Sequence, residues 1–190
     1  MDKSEMSMKR TVVQPERLTT TIDRLKSMDR NACGTSRLPN DVMFTLKDVY
    51  PPESSINLLE ILALGGVESC VWAMRATEQN CQSTARLMAV EFAELVLLPE
   101  DEQARKALQV AITYAQRTIS TDLDQEKEWF DRMVDARDME TGYKPGSDTN
   151  NAILGTLADN GWEAAFLAMA FTYRKSTAKQ QAEIIRKFMF

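Results

Sequence analysis

The stretch STARLMAVEFAELVLL, residues 83–98, decides the fold class. Small and aliphatic side chains recur in it every three or four positions, which is the spacing of one face of an α-helix. Pro99 ends this helix, and Glu100 and Asp101 begin the next, because acidic side chains stabilise the positive end of a helix dipole. The second helix has a predicted buried stripe of Ala104, Leu108, Ala111, Ile112 and Ala115. Two helices joined by so short a link predict an antiparallel hairpin.

The same periodicity extends from this hairpin towards both ends of the chain. Residues 38–50 fit both a strand and a helix, and we interpret them as a short helix. Before the hairpin, helices are predicted from Pro15 to Gly34, from a cap at Ser54 or Ser55 to Gly65-Gly66, and from Val67 to about Asn80. After it, one helix follows a cap at Thr121 or Asp122, and the run from Met139 to Asn150 is turn-rich. The last three helices are predicted at about 151–159, at 161–173, and at 177–189 after a cap at Ser176 or Thr177.

These elements predict an all-α fold, a compact bundle of about eight helices in antiparallel hairpins with no sheet. We expect residues 14–190 to form one domain and the polar, aperiodic residues 1–13 to form a flexible tail. A chain of 190 residues is long enough to build one core without disulfides or metal.

Composition excludes several classes of partner. The formal net charge of -5, without a cluster of basic residues, argues against nucleic acid binding. Cys33, Cys70 and Cys81 are odd in number and show no CxxC spacing, which favours a reducing cytoplasm over a disulfide or zinc scaffold. No apolar run is long enough to cross a membrane, and the N-terminus lacks the apolar stretch of a signal peptide. We expect a cytoplasmic protein.

The sequence contains no histidine. This excludes histidine-dependent triads, HExxH zinc sites and the di-iron sites of helical bundles. The glycine pair Gly65-Gly66 is not part of a GxGxxG or GxxxxGK motif, so these phosphate-binding loops are excluded as well.

Carboxylate chemistry is compatible with this composition. Glu91 and Glu94 lie three residues apart on one predicted helix, and Glu128 and Asp131 lie three apart on another. Two such pairs on facing helices could hold Mg²⁺ with oxygen ligands. The pattern resembles the ExxE and ExxD pairs of the all-α nucleotide pyrophosphohydrolases, the MazG and dimeric dUTPase group, although a whole predicted helix separates the pairs. The resemblance implies hydrolysis of nucleoside triphosphates; solvated helix faces also carry such pairs, and we favour that simpler interpretation.

A second resemblance covers roughly residues 65–135. The W-A-M-R-A-T-E turn at residues 72–78, an Arg-led Ala-rich helix, an A-L-x-V-A-x-x-Y-A helix and a Thr-Asp cap are similar to a helical segment of bacterial and phage proteins, some of them of the immunity type, in which the turn reads W-A-L-R-x-x-E. The matching positions are Trp72, Ala73, Arg75, Glu78, Arg86, Ala89, Glu94, Ala107, Leu108, Val110, Ala111, Tyr114, Ala115, Thr121 and Asp122. The resemblance implies a helical protein that binds and neutralises another protein, and it implies no catalytic residue.

The favoured interpretation is therefore a non-enzymatic, inhibitor- or immunity-type protein of bacterial or phage origin, without cofactor. The magnesium-dependent pyrophosphohydrolase and a structural component of an assembly are the alternatives. Arg75 and Glu78 are predicted to form a structural ion pair or to contact the partner. The apolar C-terminal helix, with Phe188 and Phe190, must be covered by the chain's own core or by a second subunit; we favour a homodimer and include both residues in the partner-binding set.

Overall fold

Eight α-helices account for most of the part of the chain that the computed structural model describes, namely residues 17–31, 38–98, 101–116, 148–158, 160–173 and 175–189. They are α1 (Ile22–Asn31), α2 (Asn40–Val49), α3 (Leu58–Ala73), α4 (Gln82–Glu94), α5 (Glu102–Gln116), α6 (Asp148–Thr156), α7 (Gly161–Thr172) and α8 (Ala178–Phe188). The predicted all-α class is confirmed, and so is the helical interpretation of residues 38–50. The expected N-terminal tail and the helix expected after Thr121 lie outside the described residues.

One small element departs from the expectation of no sheet. Strands β1 (Thr19–Thr20) and β2 (Ile56–Asn57) pair antiparallel, with Thr20 opposite Ile56. Consecutive β-branched threonines favour an extended backbone over a helix. For this reason α1 begins at Ile22, where the Thr21 hydroxyl accepts a hydrogen bond from Arg24 N, and not at Pro15 as predicted.

Helix α3 bends at the predicted glycine pair. Gly66 has φ 75° and ψ -170°, a conformation that interrupts the helix and disfavours any residue with a Cβ atom. Asn57 caps the start of the helix, and its side chain accepts a hydrogen bond from Leu59 N at 2.8 Å. The prediction of a cap at Ser54 or Ser55 is wrong because the chain first pairs as β2. A short 3₁₀ turn, Met74–Ala76, follows α3.

The buried side chains form two clusters. The first core is built mainly by β2, α1, α2, α3, part of α4, α7 and α8. The second core lies between the other part of α4 and helices α5 and α6; its buried members are Val90, Ala93, Val96, Ala104, Ala107, Leu108, Ala111, Ile112, Ala152, Ile153 and Leu157. Helix α4 contributes to both cores and is the element that joins them.

Glycines allow α7 to pack closely against its neighbours. A Cβ atom on Gly161 would lie 2.0 Å from the carbonyl oxygen of Gln82, at the start of α4. A Cβ atom on Gly155 in α6 would lie 2.9 Å from Leu167 Cβ in α7. Both distances are shorter than van der Waals contact, so these positions require glycine for the observed packing.

The C-terminal helix is covered by its own chain. Ile184, Ile185 and Met189 are buried, and α8 packs against α3 and α4. The side chain of Thr177 caps α8 in a capping box with Gln180, as the sequence predicted for Ser176 or Thr177. The apolar face of α8, which led us to predict a homodimer, therefore lies in the first core. Among the described residues, no helix is long and apolar enough to span a membrane.

Candidate interaction surface

The most conspicuous buried charge has a structural role. Arg86 is 2% exposed, and its Nη1 and Nη2 atoms donate hydrogen bonds to the carbonyl oxygens of Thr156 and Ala158 at 2.7 and 2.6 Å. These carbonyls belong to the C-terminal end of α6, where the helix dipole is negative and carbonyls lack partners within the helix. The guanidinium also lies 4.9 Å from the centroid of the Tyr114 ring in α5. Arg86 thus connects α4 with both α5 and α6.

Gln181 has a similar role in the first core. It is 1% exposed, and its Nε2 donates to Met169 O at 3.2 Å and Thr172 Oγ1 at 3.1 Å, at the C-terminal end of α7. Both buried polar side chains are therefore satisfied by helix ends, as is usual for polar groups removed from water. Neither points to chemistry on a substrate.

The two described cysteines are unsuited to nucleophilic chemistry. Cys70 and Cys81 are buried, and burial raises the pKa of each thiol above its ordinary value. A raised pKa suppresses the thiolate, which is the reactive form. Cys33 lies outside the described residues.

The predicted carboxylate site is only half described. Glu91 and Glu94 lie one turn apart on α4 and are partly exposed, whereas Glu128 and Asp131 lie outside the described residues. The Glu91 carboxylate accepts a hydrogen bond from Lys187 Nζ on α8 at 2.7 Å. Within the described parts of the chain, no group of three or more acidic or cysteine side chains is placed to hold a metal ion. The structure thus gives Glu91 an ion-pair partner and does not test the four-carboxylate cluster.

Arg75 lies between two tryptophans. It belongs to the 3₁₀ turn after α3, and its guanidinium carbon is 4.4 Å from the ring centroid of Trp162 and 5.9 Å from that of Trp72. Trp72 is 2% exposed and belongs to the first core, whereas Trp162, in the first turn of α7, is partly exposed. Cation–π attraction over a tryptophan face holds the arginine in place at the surface.

Glu78 does not pair with Arg75, so the predicted ion pair between them is wrong. Its backbone N–H donates to Thr19 O at 2.9 Å, and its exposed carboxylate accepts a hydrogen bond from the Thr19 hydroxyl at 3.5 Å. The reason is the turn that follows Ala76, which directs residues 77–79 towards β1 while Arg75 faces α7. The two side chains therefore present a cation and an anion at neighbouring but separate points of the surface.

A shallow cleft borders the same turn of α7. Glu163, next to Trp162, lines it together with Asn151, Leu154, Gly155, Ala158, Leu167 and Phe171. Its volume is about 190 Å³, below the range of about 300–1,000 Å³ typical of small-molecule sites. A cleft of this size suits a single protein side chain. We define the Arg75 surface as Arg75, Glu78, Trp162 and Glu163.

The other predicted contact residues are not part of this surface. Phe188, near the end of α8, is half-buried against the first core, with Lys187 Nζ 5.8 Å from its ring centroid. Phe190 lies outside the described residues. No hydrogen bond, ion pair or ring contact among the described residues joins Phe188 to Arg75.

Comparison with known proteins identifies no relative of this chain, so the site is interpreted from its own geometry. No family model, no curated protein and no solved structure matches the chain. The resemblances to immunity-type proteins and to nucleotide pyrophosphohydrolases therefore stay predictions.

Sequence reasoning missed Trp162 as a member of the surface. All three tryptophans fall within or at the start of predicted apolar helices, where a large aromatic side chain is usually part of the core, and this is correct for Trp72. A signal for Trp162 exists in its position: it directly follows the Asn160 cap and Gly161, and first-turn residues of a helix are often partly exposed. Its contact with Arg75, 87 positions earlier, has no such signal.

Proposed function

We propose that this chain is a non-enzymatic protein-binding protein of the inhibitor or immunity type, and that it contacts its partner through the Arg75 surface. The observation that carries the proposal is the stacking of Arg75 on the partly exposed ring of Trp162. Arginine and tryptophan are enriched among the residues that dominate binding energy at interfaces. An arginine already held in place loses less conformational entropy on binding than a mobile one.

Charge and shape support the same surface. Glu78 adds an exposed acidic group beside the arginine, so a partner with complementary charges would be oriented on binding. The cleft beside Glu163 can accept one side chain of the partner. The buried polar groups Arg86 and Gln181, in contrast, are engaged by helix ends.

The test is quantitative affinity capture from bacterial lysate with the full chain and two variants. Arg75→Glu removes the stack and reverses the charge, whereas Lys106→Glu makes the same charge change at an exposed position of α5. We expect a partner that the wild type and Lys106→Glu recover equally and that Arg75→Glu recovers at least about tenfold less, the equivalent of about 1.4 kcal/mol. Circular dichroism establishes that both variants are folded. Equal recovery by all three proteins would contradict the proposal.

The magnesium-dependent pyrophosphohydrolase is the second candidate. The observation in its favour is that Glu91 and Glu94 lie one turn apart on α4, as ligands of a shared ion would. Titration of the full chain with Mg²⁺ and a nucleoside triphosphate, followed by calorimetry and phosphate release, tests it. Hydrolysis that is lost in Glu94→Gln and kept in Glu102→Gln would establish this function in place of the first.

A further inference from the structure

Charge is unevenly distributed between two segments of the sequence. Residues 38–68 contain five acidic residues and one basic residue, a net charge of -4. Residues 173–190 contain five basic residues and one acidic residue, a net charge of +4. The overall net charge of -5 conceals this polarity. Each segment also carries a large exposed aromatic side chain.

The acidic part presents one exposed face of helix α2. Val42 and Leu46 fix the buried side of α2, which places Asp41, Phe44 and Asp48 on the opposite side. Phe44 is 63% exposed, and both aspartates are exposed. Among the described residues, neither aspartate carboxylate forms a hydrogen bond or an ion pair. We name these three residues the acidic face.

The basic part is the turn between α7 and α8. Tyr173 is 70% exposed, and Lys175 and Lys179 are exposed as well. The three residues are close together because they lie within a seven-residue stretch that ends in the first turn of α8. We name them the basic turn.

We propose that the acidic face of one copy of this chain binds the basic turn of a second copy. The occupant is inferred from charge complementarity. Asp41 and Asp48 have no cation bound to their carboxylates among the described residues, and the basic turn supplies two lysines and an aromatic ring. Lys47 Nζ lies 5.5 Å from the Phe44 ring centroid, so this ring already attracts a cation within its own chain. Each copy carries both surfaces, and the contact can therefore form in both directions. The association is expected to be reversible and sensitive to salt, because exposed charges are screened over about 8 Å at physiological ionic strength and about 3 Å at 1 M.

Sedimentation velocity of the full chain over a range of protein concentrations tests the proposal. In low salt the mean mass is expected to rise above the 21.5 kDa of one chain as concentration increases, and to return to it in 1 M salt. Asp48→Lys and Lys179→Glu each reverse one charge on one surface, and each is expected to weaken association by about tenfold. Glu102→Lys and Lys106→Glu, on α5, are the matched controls and should change it by less than about twofold.

An equimolar mixture of Asp48→Lys with Lys179→Glu provides the rescue. The reversed α2 face of one variant is complementary to the reversed turn of the other, so the mixture should associate more tightly than either variant alone. A chain that stays monomeric at every concentration in low salt, or a mixture without recovery, would overturn the proposal. Partner capture through Arg75 uses a different surface, so its success or failure is separate from this result.

Discussion

The first core is filled by large side chains such as Leu46, Trp72 and Phe92, whereas, among the residues that the structure describes, five of the eleven buried members of the second core are alanines and none is aromatic. Alanine buries little area but lets helix axes approach closely. In this second region Arg86 adds two hydrogen bonds to the end of α6 and a ring contact with α5. We therefore expect the first core to be most sensitive to loss of side-chain volume, and the second core to be most sensitive to loss of the Arg86 contacts and to larger side chains.

Truncation should be most damaging in the first core. Phe92 is 0% exposed, and Phe92→Ala is expected to lower the free energy of unfolding by about 3–5 kcal/mol, because it removes buried area and leaves a cavity. Urea denaturation measures the change. Phe44→Ala removes the same atoms at a 63% exposed position and should cost less than about 0.5 kcal/mol. Similar losses in the two variants would contradict the assignment of the core.

Removal of the buried guanidinium should be the most damaging change to the second region. Arg86→Met keeps a long apolar side chain but leaves the carbonyls of Thr156 and Ala158 without their donor, at an expected cost of about 2–4 kcal/mol. Arg24→Met is the control, since Arg24 donates to Thr77 O at 3.0 Å from an exposed position. It should cost less than about 1 kcal/mol. Chemical denaturation and amide exchange of α6 would show the difference, and equal losses would sink the structural role of Arg86.

Replacement of a buried alanine by a larger side chain should destabilise the second core, where alanines lie between the packed helices. Ala111 is 0% exposed in the second core, and Ala111→Leu is expected to destabilise the fold by about 1–3 kcal/mol through overpacking. Ala63→Leu makes the same change on the exposed side of α3 and should alter stability by less than about 0.5 kcal/mol. Thermal denaturation of the two variants decides the point; an Ala111→Leu protein as stable as the wild type would mean that the second core is loosely packed.

The smallest expected effect on stability concerns the buried thiols of the first core. Because the pKa values of Cys70 and Cys81 are raised, stability is unaffected below the ordinary thiol pKa and declines as pH rises above it, where only the unfolded state ionises. Alkylation at pH 8 should be slower in the folded protein than in urea by about a hundredfold or more for both cysteines. Mass spectrometry of labelled peptides measures this. Rapid labelling of either residue in the folded state would contradict its burial.

Local sequence signals were sufficient for most of the helical architecture. The break at Gly66 and the cap at Thr177 follow from backbone and capping preferences. The apolar spacing of residues 38–50 fits both a strand and a helix, and the helical interpretation is the correct one. The pairing of Thr19–Thr20 with Ile56–Asn57 joins segments far apart in the chain, and periodicity does not encode such contacts.

Local sequence signals predict less about the polar contacts of Arg86 and of the Arg75 surface. Arg86 interrupts an apolar stripe that continues through Val90 and Ala93, and this position alone indicates a buried arginine. The acceptors of Arg86 and the stacking partner of Arg75 depend on how α6 and α7 pack. The spacing of Arg75 and Glu78 suggested an ion pair because it is the spacing of one helical turn, yet the backbone leaves the helix between them.

Hydrogen–deuterium exchange of the full chain, alone and bound to its captured partner, tests the central functional proposal most directly. We predict that binding slows exchange at residues 72–80 and at the first turn of α7, which together carry the Arg75 surface. Exchange in α2 should be unchanged by the partner. Protection of α2 or α5 with no change around Arg75 and Trp162 would contradict the proposal.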